Sequence, residues 1–271
     1  MHLKTKKLNI VDVIVKCFFI LLFYCAVFIN NDSLYAQARS ILTDADKSAL
    51  ENIIVEQYYV ANATDYSDTT GGVLPKGSVT YRIYVDMKPG YTMQAVYGLP
   101  KHMLRIATTT EFFNNTDGGS QTGDLINVKK INDNTVALDS WIAMGGATKS
   151  HFGILKTEDK DGSIIKRNSL DKADGLKTGK VPPVTYFGLD LLFFDNAKHP
   201  SVFTTDNGSW AIFGGVKGPT DDNKVLIAQL TTNGKLSFEL NLQIGTPTGA
   251  SVQFVAKNPE GSEILFKGLT Y

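Results

Sequence analysis

The stretch Glu158-Asp159-Lys160-Asp161-Gly162 holds the residues best suited to bind a metal. Carboxylates at alternate positions followed by glycine put hard oxygen ligands on a sharp turn, the chemistry calcium prefers. With Asp159 and Asp161 at the third and fifth positions of a calcium loop, Thr157 falls at the first and Asn168 at the twelfth. The bidentate glutamate of an EF-hand is therefore missing. Asp159 and Asp161 are calcium candidates outside that pattern, with a solvated turn as the competing reading. Asp221-Asp222-Asn223 and Asp206-Asn207 are further oxygen-rich turns. His102, His151 and His199 lie about fifty residues apart, with no H-x-H or H-E-x-x-H spacing to gather zinc.

Covalent and acid–base catalysis find fewer footholds. No G-x-S-x-G elbow occurs, and Ser251 in Gly249-Ala250-Ser251-Val252 lacks the closing glycine. There is no P-loop, and no G-x-G-x-x-G leads from a strand into a helix. The pairs Gly71-Gly72, Gly118-Gly119, Gly145-Gly146 and Gly214-Gly215 read as turns or strand ends. Glycoside hydrolysis needs two carboxylates about 5–10 Å apart. Glu239 stands alone among Ser237, Asn241 and Gln243, and Asp139 has no acid two residues on. No catalytic residue is assigned. Tyr81, Tyr84, Tyr91, Tyr97, Phe112, Phe113, Trp141, Phe193, Phe194 and Trp210 would stack on sugar rings if exposed, but aromatics in a β protein belong first to its core. Asn62, Asn114 and Asn207 begin glycosylation sequons.

Where these side chains end up depends on the elements that carry them, and residues 1–38 read as part of none. Lys4, Lys6, Lys7 and Lys16 precede an apolar run from Cys17 to Ile29, and Ala36-Gln37-Ala38 follows. That is the order of a secretory signal peptide, and the run is too short to span a bilayer. Cleavage after Ala38 would remove Cys17 and Cys25, the only two cysteines, leaving a chain that core burial alone must hold together. The whole chain has 271 residues, with 27 basic against 27 acidic side chains. That balance argues against a nucleic-acid partner, which calls for a basic excess or stripe. The mature chain is expected to have no membrane span and to be secreted, extracellular or at the cell surface.

Residues 39–52 read as a short helix, capped at Thr43 or Asp44, or as a mobile segment. Residues 53–271 read as a single all-β domain. It is an antiparallel β-sandwich, jelly-roll-like, of about ten to fourteen strands, with a long polar loop excursion over 157–200. In SVTYRIYVDM (78–87) Val79, Tyr81, Ile83, Val85 and Met87 alternate with Ser78, Thr80, Arg82, Tyr84 and Asp86. Lys88-Pro89-Gly90 then turns the chain and 91–98 returns it. Further strands are expected at 102–113, 124–129, 134–143, 150–156, 251–258 and 263–270. Asp206-Asn207-Gly208 and Asn233-Gly234 both read as hairpin turns. In the second, a three-residue loop Thr232-Asn233-Gly234 would set Leu230 opposite Leu236 and Leu226 opposite Leu240, with Gly234 left-handed in a bulge.

Over GSVTYRIYVDMKPGYTMQAVYG (77–98), TTTEFFNNTDGG (108–119), NTVALDSWIAMGG (134–146), GILKTEDKDGSI (153–164) and 206–244 the chain resembles uncharacterised secreted proteins of Bacteroidetes-type bacteria. That resemblance implies export and a surface location, and it implies no activity or site residues. Members of the group often carry a C-terminal type IX secretion sorting module, which does not appear in the residues up to Tyr271. The reading that follows is a secreted, non-catalytic β domain with an adhesive or structural role at the cell surface. Its partner would be an extracellular polysaccharide or a cell-surface protein. The alternatives are a carbohydrate-binding module, calcium-stabilised or not, and a glycoside-acting enzyme. No other cofactor is expected.

Overall fold

A computed structural model describes residues 42–195 and 200–271. Segment 1–38, read above as a signal peptide, residues 39–41 and His199 lie outside the described residues. The chain enters through one helical turn, α1 (Asp44–Lys47). Thr43 caps it: its hydroxyl accepts the Asp46 N–H at 3.2 Å, and Asp46 Oδ2 accepts the Thr43 N–H at 2.9 Å. Asp46 also accepts from the Thr43 and Tyr91 hydroxyls. The hydrogen bond from the Thr43 hydroxyl, foremost, holds the Asp46 carboxyl below the ordinary value of 3.8. A carboxyl depressed on folding contributes stability above its unfolded pKa and loses it as pH falls through the folded one. The stability gap between the wild type and Asp46→Asn is therefore expected to be full at pH 6 and to close below about pH 4. Urea titrations across pH 2–6 check this, and a gap constant over that range would contradict it.

The strands are β1 (Leu50–Val60), then, after helix α2 (Ala63–Ser67), β2 (Val79–Met87), β3 (Thr92–Gly98), β4 (Leu104–Thr108), β5 (Trp141–Ile142), β6 (Gly146–Thr148), β7 (His151–Gly153) and β8 (Leu176–Thr178). They continue with β9 (Thr185–Phe187), β10 (Val202–Thr205), β11 (Gly208–Val216), β12 (Lys224–Thr232), β13 (Leu236–Glu239), β14 (Asn241–Gly245), β15 (Ser251–Val255) and β16 (Ile264–Leu265). The fold is all-β. These sixteen strands among the described residues exceed the ten to fourteen expected, because several have only two or three residues. They form a six-stranded sheet β16-β15-β14-β3-β11-β9, a four-stranded sheet β1-β2-β12-β5, and two three-stranded sheets, β10-β4-β13 and β6-β7-β8. Every pairing is antiparallel except β15 with β16.

The main core lies where the apolar faces of the six-stranded, four-stranded and β10-β4-β13 sheets meet. Met93, Val96, Trp210, Leu242 and Phe254 come from the first, Ile83, Val85, Val225 and Ile227 from the second, and Ile106, Phe203 and Phe238 from the third. A second core covers the other side of the four-stranded sheet. There Tyr58, Tyr84, Trp141 and Leu226 meet Ile126, Val136, Leu138, Ile165, Leu170 and Leu176. The four-stranded sheet is thus buried on both faces. This explains why β12 is almost uniformly buried and reads as a continuous apolar run. A register shift between Gln57 and Tyr59 lets the adjacent Tyr58 and Tyr59 both enter the second core.

The turns stand where expected but connect different strands. Gly90 is left-handed, yet β2 and β3 lie in separate sheets. The Asp206-Asn207-Gly208 turn joins β10 to β11, and Asn233-Gly234 joins β12 to β13, again across sheets. Leu230 therefore pairs with Tyr81 and Leu236 with Thr108, not with each other. Gly234 is not left-handed; a Cβ there would meet the hydroxyls of Thr108 and Thr110 at 2.5 Å, so close packing requires it. The run 235–244 breaks at the fully buried Leu240, which lies between two strands in different sheets.

Other expectations are corrected by the covering layer. Segment 124–129 is two 3₁₀ turns, Gly123–Leu125 and Val128–Lys130, rather than a strand. Gly123 packs so tightly that a Cβ would meet the Gly146 carbonyl at 2.2 Å. Residues 134–143 open with the 3₁₀ turn Val136–Leu138 before β5, and 263–270 combines β16 with the 3₁₀ turn Lys267–Leu269. The excursion 157–200 carries β8, β9 and two 3₁₀ turns, and its apolar residues Ile165, Leu170 and Leu176 roof the second core. Strand β1 begins at Leu50, within the 39–52 segment read as a helix or a mobile stretch.

Candidate binding face

Asp159 is a staple for the excursion. Its Oδ2 accepts the Asp174 and Gly175 N–H groups, both at 2.9 Å, and its Oδ1 accepts the Asp161 N–H at 3.1 Å. Asp161 is exposed and lines an open cavity of about 490 Å3 together with Glu158, Lys160, Lys177, Asp221 and Asp222. Two oxygen-rich turns singled out separately, 158–162 and 221–223, therefore face one another. The place between them is held by the Lys224 ammonium, 2.6 Å from Glu158 Oε1 and 2.9 Å from Asp222 Oδ2. Among the described residues, no three His, Cys, Asp or Glu side chains gather as a metal site would require. Asp159→Ala is expected to cost about 2–3 kcal/mol, since three N–H groups lose a charged acceptor. Hydrogen exchange should show the Asp174 and Gly175 amides losing protection first, and unchanged protection there would refute the staple.

The other chemistry-bearing residues are committed to structure. Asp139 is fully buried and accepts the Asn115 N–H at 2.7 Å and the Ser120 N–H at 2.8 Å; burial pushes its carboxyl well above the ordinary range. Glu239 is paired with Lys257. His102 Nε2 lies 2.9 Å from Glu263 Oε2, and His151 Nδ1 lies 3.0 Å from the Thr148 hydroxyl. Of the aromatics singled out in the sequence, Tyr84, Tyr91, Tyr97, Phe112, Phe113, Trp141, Phe194 and Trp210 are buried, while Tyr81 and Phe193 are half-buried. Asn62 caps α2, Asn114 is buried and Asn207 is exposed.

What remains open is part of the outer face of the six-stranded sheet, its Tyr97, Asn241 and Val255 end being buried. The inward residues Met93, Val96, Trp210, Leu242, Ile244, Val252 and Phe254 fix the alternation. Register then turns Gln94, Ala95 and Tyr97 outward on β3, Gln243 on β14, and Ser251 and Gln253 on β15. Ser209 and Ala211 on β11 face outward with Phe187 and Thr185 on β9. A bulge at Gln94 places it beside Ala95 on this face. Gln243 Nε2 donates to Gln94 Oε1 at 2.9 Å, and the Ser251 hydroxyl donates to the same oxygen at 2.8 Å. None of these outward residues carries a charge.

Two exposed phenylalanines stand beside this amide strip, on the β11–β9 side of the sheet. Phe187 is 71% exposed beside a cavity of about 260 Å3 that Tyr97, Leu99, Asn207, Gln243 and Gln253 also line. The Tyr97 hydroxyl at its edge is buried and has no hydrogen-bond partner among the described residues. Phe213 is fully exposed on a wide bulge of β11, where Gly214 and Gly215 are left-handed and Gly215 lies against Thr92 and Gln94. Sequence reasoning passed over both phenylalanines. The signal that could have found Phe213 is the Gly214-Gly215 pair directly after it, which interrupts an otherwise regular strand. Comparison with family models, with curated proteins and with solved structures finds no match for this chain.

Proposed function

We infer that the chain is a secreted, non-catalytic β domain with an adhesive or structural role at the cell surface. The observation that carries this reading is the uncharged, open part of the outer face of the six-stranded sheet, with Phe187 and Phe213 exposed along its β11–β9 side. Exposed aromatic rings beside hydrogen-bonding amides offer a partner both a stacking face and polar contacts. Asp139 and Glu239 being tied into the fold agrees with a non-catalytic role. Among the described residues no helix is long and apolar enough to cross a membrane. Secretion rests on the leader-like segment 1–38 and on the resemblance to secreted bacterial proteins.

Beads coated with the chain should adhere to surfaces bearing extracellular polysaccharide or cell-surface protein. The double variant Gln243→Glu/Gln253→Glu should abolish adhesion by charging the face. Equal adhesion by wild type and variant would overturn this reading, as would cleavage of any polymer by the wild type. Because Lys224 already fills the space between Glu158 and Asp222, calcium is expected to leave both adhesion and melting temperature unchanged relative to EDTA.

A further inference from the structure

We propose that the open face beside Phe187 and Phe213 is a binding platform for a neutral polysaccharide chain, a ligand assignment that rests on the adhesive reading above. Three features of the face select this ligand. First, its outward side chains are amides, hydroxyls, small apolar groups and aromatics, with no charge to attract an ion or to demand one. Second, glutamine side chains both donate and accept, which suits the adjacent hydroxyls of a sugar ring, each of which does the same. Gln94, Gln243 and Ser251 are already linked to one another, so the strip is preorganised. Third, the two exposed rings stand apart from one another along the β11–β9 side of the strip. Phe187 is in register with Ser209, and Phe213 follows four residues later on β11. The regularly paired strand runs roughly 7 Å from Ser209 to Ala211 and Phe213 lies on the bulge beyond it, too far for one sugar unit to stack on both rings. The ligand is therefore a polymer that lies along β11, stacks a ring face on each phenylalanine, and seats one unit in the cavity beside Phe187. A protein partner fits less well, because tight protein interfaces bury an apolar centre, whereas the middle of this face is glutamine, serine and alanine.

Affinity electrophoresis of the full chain in native gels tests the proposal, with soluble β-glucan, α-mannan and xylan as neutral probes and polygalacturonate as the anionic one. Retardation by at least one neutral polymer is expected. Phe187→Ala and Phe213→Ala should each weaken it about tenfold, and Gln243→Ala severalfold. Both phenylalanines are exposed, so circular dichroism and the urea midpoint should not change. The proposal is overturned if no neutral polymer retards the chain, if polygalacturonate alone does, or if neither phenylalanine variant weakens retardation. If it fails while beads coated with the chain still adhere to immobilised cell-surface protein, the adhesive reading survives without the polysaccharide. If beads adhere to neither kind of surface, both fall.

Discussion

Arg82→Met is expected to lower the free energy of unfolding by roughly 2–3 kcal/mol, the range for losing hydrogen bonds from a buried charged donor to neutral acceptors. Arg82 is 2% exposed in the second core. Its Nε donates to Gln229 Oε1 at 2.9 Å, and its Nη1 donates to the carbonyls of Gly175 at 3.0 Å and Asp174 at 3.3 Å. The guanidinium lies 3.5 Å over the Tyr58 ring, and the Tyr58 hydroxyl donates to the same Asp174 carbonyl at 2.7 Å. Gln229 carries the network onward, donating to the carbonyls of Ala137 and Asp139. One arginine on β2 thus holds two covering segments, 136–139 and 174–175, onto the four-stranded sheet. Methionine fills a similar volume but leaves Gln229 Oε1 without its donor, and the Asp174 and Gly175 carbonyls keep only the Tyr58 hydroxyl and the Ile154 N–H. Arg82→Lys keeps the charge but cannot reproduce the planar fork, and should recover less than half of the loss. Urea unfolding measures the total, while hydrogen exchange over 154–176 should show the cover opening before the main core. A loss below about 1 kcal/mol would mean that the network contributes little beyond packing.

Trp210→Ala is the second large effect, at about 3–5 kcal/mol. Trp210 is fully buried at the centre of the main core, with its ring 6.4 Å from Phe203, which in turn contacts Phe193 and Phe194. Its Nε1 donates to the Ala143 carbonyl at 3.1 Å, linking the six-stranded sheet to the chain just after β5. Alanine opens a cavity and orphans that carbonyl together. Trp210→Phe separates the two contributions: it keeps most of the packing and should cost about 1–2 kcal/mol. Because Trp210 alternates with Ser209 and Ala211, the alanine variant should also disturb the binding face. Phe187→Ala, by contrast, should weaken binding at unchanged stability. Equal stability losses for Trp210→Ala and Trp210→Phe would show that the hydrogen bond, not the packing, carries the effect.

Local patterning settled a good deal of this protein. The alternation in 78–87 places Ile83, Val85 and Met87 on the main core, and the capping potential of Thr43 produces α1. Strand ends were legible too, because glycine, proline and asparagine stop strands through backbone geometry wherever they occur. Partners were not legible. A two-residue turn reverses the chain equally well within one sheet or across to another, and at Asn233-Gly234 the choice depends on which apolar face must be covered. The candidate face shows the same division. Sequence placed Glu239, Asn241 and Gln243 on a polar stretch, but only the bulge at Gln94 brings that glutamine to Gln243 and Ser251.

Arg82 marks the limit most clearly. On β2 it alternates like a residue of an outer polar face, and nothing nearby in the chain says otherwise. A roof arriving about ninety residues later buries it and supplies its acceptors. Amino-acid order by itself determined the all-β class, the strand texts and the turn positions, since these depend on contacts a few residues apart. Which polar face is sealed and which is left open was decided only by tertiary structure, because that depends on segments whose own apolar residues must find a surface to cover.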